Sequence, residues 1–344
     1  MTSRTRLTPE DITGCWAIIP TPAKPGASDW RAADTVDLDE SARIVEAMIA
    51  AGVDGILSLG TLGECAGLTL EEKRAFIATI VQTARGRVPI FAGTTTLNTR
   101  DTIAQTRMAR DLGADGTMVG PSMWNKPDAN MAAQFYRDLA EAVPEMPICI
   151  YANSFVFKFD FPPPFWAQVA EIPQVITAKT ASAATYLRDQ KASKGKIRLM
   201  PMDAEFYAAA RLDPGTAVAF WSSSASCGPA PAIALRELVA QAKQTGDWSA
   251  ALALTDKMSA AVLPTIAYGD WELFQIHNTA LEKLRFDAAG WMKAGPIRPP
   301  FQLVPDRIKE FGRIAGESWA ALQTEYEPMA RLAAGQRRTR SGAA

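Results

Sequence analysis

Short apolar runs and amphipathic stretches alternate along most of the chain. Residues 55–59 form a short run of apolar side chains bounded by turn residues, which is typical of a buried strand. Residues 39–51 instead carry apolar side chains at helical spacing and end before Gly52, a common helix cap. Thr69 and Glu72 have the spacing of a capping box, so they predict a helix beginning at this point.

The full pattern predicts eight strands, each followed by a helix. The strands are expected at residues 16–20, 55–59, 88–92, 116–119, 147–151, 175–179, 197–200 and 217–221. The helices are expected at residues 39–51, 69–84, 99–112, 130–143, 164–170, 182–191, 204–212 and 232–244. This alternation predicts an α/β fold, a (β/α)8 TIM barrel spanning residues 12–246.

The alternative with the same alternation is an open, doubly wound sheet. That fold usually carries a Gly-rich phosphate turn after its first strand, and here the position holds Pro20, Thr21 and Pro22. The remaining stretch, residues 247–334, has a helical pattern and predicts a C-terminal helical extension packed on the barrel. The basic tail at 335–344 is expected to be disordered.

Composition narrows the class of protein. The chain has 344 residues, 48% of them hydrophobic and 21% charged, as is typical of a soluble globular protein. Its net charge of −1 gives no reason to expect nucleic-acid or membrane partners. The polar first residues lack the apolar core of a signal peptide, and the four cysteines are widely separated. We therefore expect a cytoplasmic protein with reduced thiols.

Several chemistries are disfavoured by the residues present. The chain contains one histidine, His277, and no Gly-x-Ser-x-Gly motif, so a serine hydrolase triad is not expected. Metal-dependent aldolases and hydrolases usually need clustered His and carboxylate ligands, which this composition does not supply. No phosphate-binding Gly-rich loop follows a strand. Chemistry on a carbonyl group without metal or organic cofactor fits the chain best, and His277 is expected to be structural.

Lys179 is the strongest candidate for that chemistry. It ends the apolar strand predicted at 175–179, where barrel enzymes place their reactive groups. An amine in a dry pocket is disfavoured in its charged form, so its pKa falls and it can attack a carbonyl to form a Schiff base. The alternative is a lysine that only extends from the strand end into water.

Two other strand ends carry compatible groups. Tyr151 and Asn153 follow the fifth strand and share a face, so the phenol could meet the amine from a neighbouring strand as an acid/base. Thr61 and Leu62 lie in the turn after the second strand, where a hydroxyl and backbone N–H groups can bind a carboxylate. A tyrosine at a strand end is also common in protein cores. The groups at the ends of the second, fifth and sixth strands therefore indicate an active site only when they are taken together.

These motifs resemble the N-acetylneuraminate lyase/dihydrodipicolinate synthase family over about residues 12–330. The resemblance rests on the Gly-Thr-x-Gly-Glu turn at 60–64, the strand ending in Tyr151 and the strand ending in Lys179. It implies a class I pyruvate aldolase on a (β/α)8 barrel, forming homo-oligomers, either tetramers or trimers. Lys179 would be the Schiff-base lysine and Tyr151 the acid/base, with Thr61 and the Leu62 amide binding the α-keto acid's carboxylate.

Departures from the synthase pattern indicate the subfamily. The second threonine of the turn is Leu62, and Val156 stands where synthases carry an arginine for a second carboxylate. Met123 and Trp124 replace a tyrosine pair in the loop after the fourth strand, and these residues can line an apolar slot. Three more aromatic residues lie near the same rim, although each could equally pack beneath a lid: Phe155, Phe157 and Trp221.

Together these residues favour an aromatic substrate, as in the hydratase-aldolases of polycyclic aromatic hydrocarbon breakdown. The chain would then hydrate and cleave a trans-arylidenepyruvate, an aromatic 2-oxo acid, to an aromatic aldehyde and pyruvate. Asn153 would help to guide water, Trp124 and Trp221 would contact the ring, and Asn278 would bond a ring substituent. Two alternatives stay open: another pyruvate aldolase or dehydratase acting on a sugar acid or small aldehyde, and a non-catalytic ligand-binding barrel.

Overall fold

A computed structural model describes residues 6–341 of the chain, with side chains described through residue 336. Its strands are β1 (Gly14–Ile18), β2 (Gly55–Leu57), β3 (Ile90–Gly93), β4 (Gly116–Val119), β5 (Ile148–Tyr151), β6 (Val175–Lys179), β7 (Arg198–Met200) and β8 (Ala219–Ser222). Its helices α1–α6 are Leu38–Ala51, Leu70–Ala84, Thr99–Asp111, Ala129–Ala142, Ser154–Phe157 and Pro163–Val169. Helices α7–α12 are Tyr186–Ala192, Asp203–Leu212, Ala230–Thr245, Ser249–Val262, Trp271–Ala289 and Asp306–Ser341.

The strands follow one another in the sheet in the order β7-β6-β5-β4-β3-β2-β1-β8. From β1 to β7 each strand therefore lies beside the next strand of the chain, with a helix between them, and β8 lies beside β1, which is the arrangement of a (β/α)8 TIM barrel. The predicted fold class is confirmed. The helical pattern expected after the eighth βα unit is also present, as helices α10, α11 and α12.

The chain divides into two compact units. The first consists of Met1–Gly14 and Pro89–Trp221. Within it, β5 and β6 run parallel with Tyr151 opposite Lys179, and β6 pairs in parallel with β7, with Lys179 opposite Met200. An aromatic cluster that includes Phe159, Phe161, Phe165 and Trp166 fills the space around α6.

The second unit consists of Cys15–Val88 and Ser222–Ala344. Strands β1 and β2 pair in parallel, and Gly55 lies so close to Trp16 that a Cβ atom there would be 2.5 Å from the indole ring. Thr69 and Glu72 form the predicted capping box at the start of α2. Helices α11 and α12 pack through Leu281 and Ile308, so the C-terminal helices share a core.

One helix is absent from the sequence prediction. Helix α5, only four residues long, was not expected because so short a segment has no periodicity to reveal it. Helix α12 runs to Ser341, and residues 342–344 lie outside the described residues; the disordered tail predicted at 335–344 stays a prediction. The boundary predicted at residue 247 stays a prediction. Within the described range, no helix has the length and hydropathy to span a bilayer.

Candidate active site

Lys179 is the last residue of β6, and its side chain is buried. The strand is built from Val, Ile, Thr and Ala, residues that pack well on a fully covered sheet, and every position in it is buried. Only 9% of Lys179 is exposed to solvent. A lysine is rarely buried to this degree, so the alternative of a side chain that merely extends into water does not describe it.

The amine of Lys179 lies against two aromatic rings. Its Nζ atom is 3.5 Å from the ring centroid of Trp221 and 4.6 Å from that of Tyr151. Trp221 is held in this position because its indole Nε1 donates a hydrogen bond of 2.5 Å to the carbonyl of Thr180. Ring faces attract cations, so the same position also suits the iminium that a lysine forms with a ketone.

Tyr151 and Asn153 form a hydrogen-bonded pair at the end of β5. The Asn153 side-chain amide donates to the Tyr151 phenol oxygen at 3.3 Å. Its carbonyl oxygen accepts from the backbone N–H groups of Phe155 and Val156, which caps α5. The cap fixes which way the amide points, so the donor faces the phenol. The short helix that the sequence did not predict therefore orients a predicted site residue.

Cys149 lies two residues before Tyr151 on the same strand. Burial raises the pKa of its thiol to about 12, although the nearby Lys179 opposes this shift. The thiol is therefore protonated at neutral pH and is not an available nucleophile.

The other aromatic residues expected at the rim behave differently from one another. Phe157 is buried, with its ring edge-on to Tyr151 and so close to Gly120 that a Cβ there would overlap it. Phe157 therefore packs in the core, which is closer to the alternative of a packing residue than to that of a residue lining the slot. Trp124 is 73% exposed in the loop after β4, where its carbonyl accepts a hydrogen bond from Lys158. Phe155 is also exposed, so these two rings are open to solvent.

In the second unit, the turn after β2 carries Thr61 and Leu62. Leu59 and Glu64 at its two ends both have left-handed backbone conformations, with φ of 54° and 52°. Such conformations cost a non-glycine residue about 1–2 kcal/mol each. Gly63 permits the tight turn, because a Cβ there would lie 3.0 Å from the backbone of Leu59. Thr61 is half-buried and Leu62 is buried.

The Glu64 side chain ends in a buried ionic cluster that the sequence did not predict. Its carboxylate accepts hydrogen bonds from the Lys283 amine at 2.8 Å, from the Arg298 backbone N–H at 2.8 Å and from the Arg298 guanidinium. The three side chains are 1–2% exposed. Lys283 and Arg298 are more than 200 positions from Glu64 in the chain, so no local pattern could indicate the contact.

Asn278 lies on α11 in this second unit, directly after a break in the helix. The backbone of His277 departs from helical geometry, with φ of −113°, and both side chains are half-buried. Of the predicted site residues, Lys179, Tyr151, Asn153 and Trp221 are thus brought together, while Trp124, Thr61, Leu62 and Asn278 keep predicted roles. Among the described residues, no group of three or more His, Cys, Asp or Glu side chains is arranged to hold a metal ion.

Comparison with known proteins identifies the class of protein. The model of the dihydrodipicolinate synthetase family matches residues 26–302. The chain belongs to this family, which confirms the family resemblance of the sequence motifs.

Two individual relatives and one solved structure show which kinds of family member the chain is similar to. The chain is 57% identical, over 93% of its length and 97% of the relative's, to a trans-O-hydroxybenzylidenepyruvate hydratase-aldolase of Sphingobium xenophagum. It is 38% identical, over 93% and 96% of the two lengths, to a trans-2'-carboxybenzalpyruvate hydratase-aldolase of Nocardioides sp. (strain KP7). The solved structure "PhdJ bound to substrate intermediate" has a TM-score of 0.91 at 43% identity and covers 94% of this chain and 99% of its own.

Proposed function

We propose that this protein is a class I hydratase-aldolase that converts a trans-arylidenepyruvate to an aromatic aldehyde and pyruvate through a Schiff base on Lys179. The observation that carries the proposal is the buried Lys179 amine at the end of β6, 3.5 Å from the centre of Trp221 and 4.6 Å from that of Tyr151. The names of relatives at 57% and 38% identity support the reaction, since both are hydratase-aldolases of arylidenepyruvate-type acids.

The first stage activates the substrate. The neutral Lys179 amine attacks the 2-oxo carbon, and the carbinolamine loses water to give an iminium. This cation withdraws electrons along the conjugated chain, so water adds at the aryl-bearing carbon and a proton is added at the carbon next to the iminium. Tyr151 and Asn153, already joined by a hydrogen bond, are the proposed groups that guide this water.

The second stage breaks the carbon–carbon bond. Tyr151 accepts the proton of the new hydroxyl group. The bond between the hydroxyl-bearing carbon and the carbon next to the iminium then breaks, and an aromatic aldehyde leaves. The bonding electrons move into the iminium and give an enamine. Protonation of the enamine carbon and hydrolysis of the imine then release pyruvate and regenerate Lys179. Lysine itself serves as the electron sink, so the scheme requires neither metal nor organic cofactor.

The remaining site residues are assigned to substrate binding. The Thr61 hydroxyl and the Leu62 amide bind the carboxylate, while Trp124 and Trp221 contact the aromatic ring. Asn278 bonds the ring substituent. The relative with the higher identity is named for an ortho-hydroxyl substrate and the more distant one for a carboxyl substrate. An ortho-hydroxybenzylidenepyruvate is therefore the first substrate to test.

A panel of arylidenepyruvates, assayed for aldehyde release, tests the function. The expected result is turnover of the ortho-hydroxyl compound with equal amounts of aldehyde and pyruvate formed. Turnover of sugar-derived 2-oxo acids in preference to every aromatic compound would support the other aldolase function instead. No turnover of any compound, with no pyruvate adduct, would indicate a ligand-binding barrel.

We also propose a homo-oligomeric enzyme of the cytoplasm. Support for association comes from large apolar side chains that are exposed in the second unit, on α11 or just before it: Tyr268, Trp271 and Ile276. Exposed apolar groups of this kind mark protein interfaces. Sedimentation equilibrium distinguishes a trimer or tetramer from a monomer. A monomer at micromolar concentration would contradict this part of the proposal.

A further inference from the structure

The turn that carries Thr61 and Leu62 is held in an unfavourable backbone conformation by contacts from outside it. Leu59 and Glu64 are both left-handed, and neither is glycine. Within the turn, the Glu64 N–H donates to the carbonyl of Thr61 at 3.0 Å. From outside, the buried hydroxyl of Thr21 donates to the carbonyl of Gly63 at 2.9 Å. The positions of the Thr61 side chain and the Leu62 N–H therefore depend on these anchors.

Glu64 is the strongest of the anchors. Its carboxylate oxygens accept from Lys283 and twice from Arg298. Arg298 also donates to the Thr21 carbonyl at 3.1 Å and to the Thr35 hydroxyl at 2.7 Å, so it bonds both Glu64 and the segment that bonds Gly63. Lys283 donates in addition to the carbonyl of Pro296 at 2.6 Å. Residues far along the chain thus converge on one turn.

Stability alone does not account for this cluster. Removing charged groups from water costs about as much as their attraction returns, so buried ion pairs often add little net stability. What such a pair does provide is one defined geometry, because leaving any partner unmatched is costly. Burial lowers the pKa of Lys283, and the adjacent Glu64 carboxylate opposes that shift. The cluster therefore works as a matched set.

We propose that Glu64, clamped by Lys283 and Arg298, is a positioning residue that acts together with the Thr21 hydroxyl to set the Thr61–Leu62 turn for binding the substrate carboxylate. This inference rests on the proposed function, which assigns the turn to the carboxylate. It gives the C-terminal part of the chain a role in recognising the 2-oxo acid. Glu64 itself touches neither the substrate nor the Lys179 imine in this scheme.

The test compares pyruvate with methyl pyruvate, which has the same ketone but no carboxylate. Each compound is titrated against the borohydride-trapped lysine adduct to obtain half-saturating concentrations. Glu64→Gln should raise that concentration for pyruvate by about tenfold or more, because charged hydrogen bonds contribute at least this factor. The value for methyl pyruvate should change less than twofold, so the preference for pyruvate falls.

Asp54→Asn is the matched control for loss of a buried ion pair. Asp54 pairs with Arg236 at 2.6 Å, and the two side chains are 10% and 7% exposed. Asp54 directly precedes β2, whereas Glu64 follows its other end. This variant should lose thermal stability comparably and keep the wild-type preference for pyruvate. An equal fall in preference for Asp54→Asn and Glu64→Gln would overturn the proposal.

Thr21→Val provides a second, milder variant that decides the question even if Glu64→Gln does not fold. It removes the hydroxyl bonded to Gly63 and should lower the preference roughly fivefold, whereas Thr21→Ser keeps the hydroxyl and should preserve it. Equal preferences in wild type, Thr21→Val and Thr21→Ser would overturn the clamp alone. The absence of any wild-type pyruvate adduct would overturn the proposed function as well.

Discussion

Two buried lysines in this protein have opposite surroundings. The Lys283 amine, in the second unit, donates hydrogen bonds to the Glu64 carboxylate and the Pro296 carbonyl. The Lys179 amine, in the first unit, lies over the rings of Trp221 and Tyr151. A carboxylate partner favours the ammonium form and fixes its position, which suits a structural clamp. Aromatic faces instead attract the cationic iminium that we propose forms on Lys179.

The difference separates lysines that maintain geometry from lysines that carry out chemistry. Burial alone does not identify a nucleophile, because Lys283 is the more buried of the two, at 1% exposed against 9%. The kind of neighbour decides the role.

Substitution of the two lysines gives the sharpest contrast. Lys179→Ala should abolish turnover of an arylidenepyruvate while the barrel stays folded, because the covalent intermediate has no other proposed site. Lys283→Met should retain turnover and the pyruvate adduct with weaker pyruvate binding. Steady-state kinetics and circular dichroism of both variants provide the measurement. Turnover in Lys179→Ala at the wild-type rate would show that the aromatic setting does not mark the nucleophile.

Removal of Trp124 tests the proposed contact between this side chain and the aromatic ring of the substrate. A ring contact contributes about 0.5–1.5 kcal/mol beyond its buried area, and the burial itself adds more. Trp124→Ala should therefore lower kcat/KM for an arylidenepyruvate by about tenfold. Because Trp124 is 73% exposed, the substitution should hardly change thermal stability.

The matched measurement for Trp124 is imine formation with pyruvate, which has no ring. This reaction should be nearly unchanged in Trp124→Ala. Equal losses with pyruvate and with the arylidenepyruvate would identify Trp124 as a structural residue, and the assignment of an aromatic slot would lose its main support.

Cys149 tests whether the core beside the amine excludes water. Its pKa is about 12 in the folded chain against a reference of 9.0, so its contribution to stability is fully present below pH 9. It is lost as the pH rises through 12, at about 1.4 kcal/mol for each pH unit. The unfolding free energy of Cys149→Ala should fall less steeply above pH 9. Identical slopes in chemical denaturation would contradict this burial.

Chelation should have no effect. The proposed chemistry uses the lysine as electron sink, and no cluster of three metal-binding side chains occurs among residues 6–336. Activity after exhaustive treatment with EDTA should equal that of untreated enzyme. Loss of activity that a divalent ion restores would return metal-dependent aldolases to consideration.

The sequence predicts the Lys179 region well and the Glu64 region poorly, for a physical reason. Strand β6 matches its predicted bounds, 175–179, because a β-branched run and the helix after it are local signals. Strand alternation and parallel pairing predict that Tyr151 and Lys179 come from neighbouring strands, but Tyr151 lies opposite Lys179 because the register shifts between Ile148 and Cys149. The Glu64 clamp depends on contacts with Lys283 and Arg298, which no periodicity encodes.

Individual side chains at the rim are the least predictable. Phe155 and Phe157 are two positions apart, yet Phe157 is in the core and Phe155 faces solvent. The four-residue helix α5, capped by Asn153, determines this difference. Such a helix leaves no hydrophobic period in the sequence, so only the folded chain distinguishes the two rings.

The most direct test of the central claim is to find the lysine that traps pyruvate. The enzyme is incubated with pyruvate and borohydride, digested, and the modified peptide is sequenced by mass spectrometry. We expect one reduced adduct, on Lys179, in the peptide that contains the end of β6 and Tyr186. An adduct on Lys283 or any other lysine, with Lys179 unmodified, would contradict the central claim.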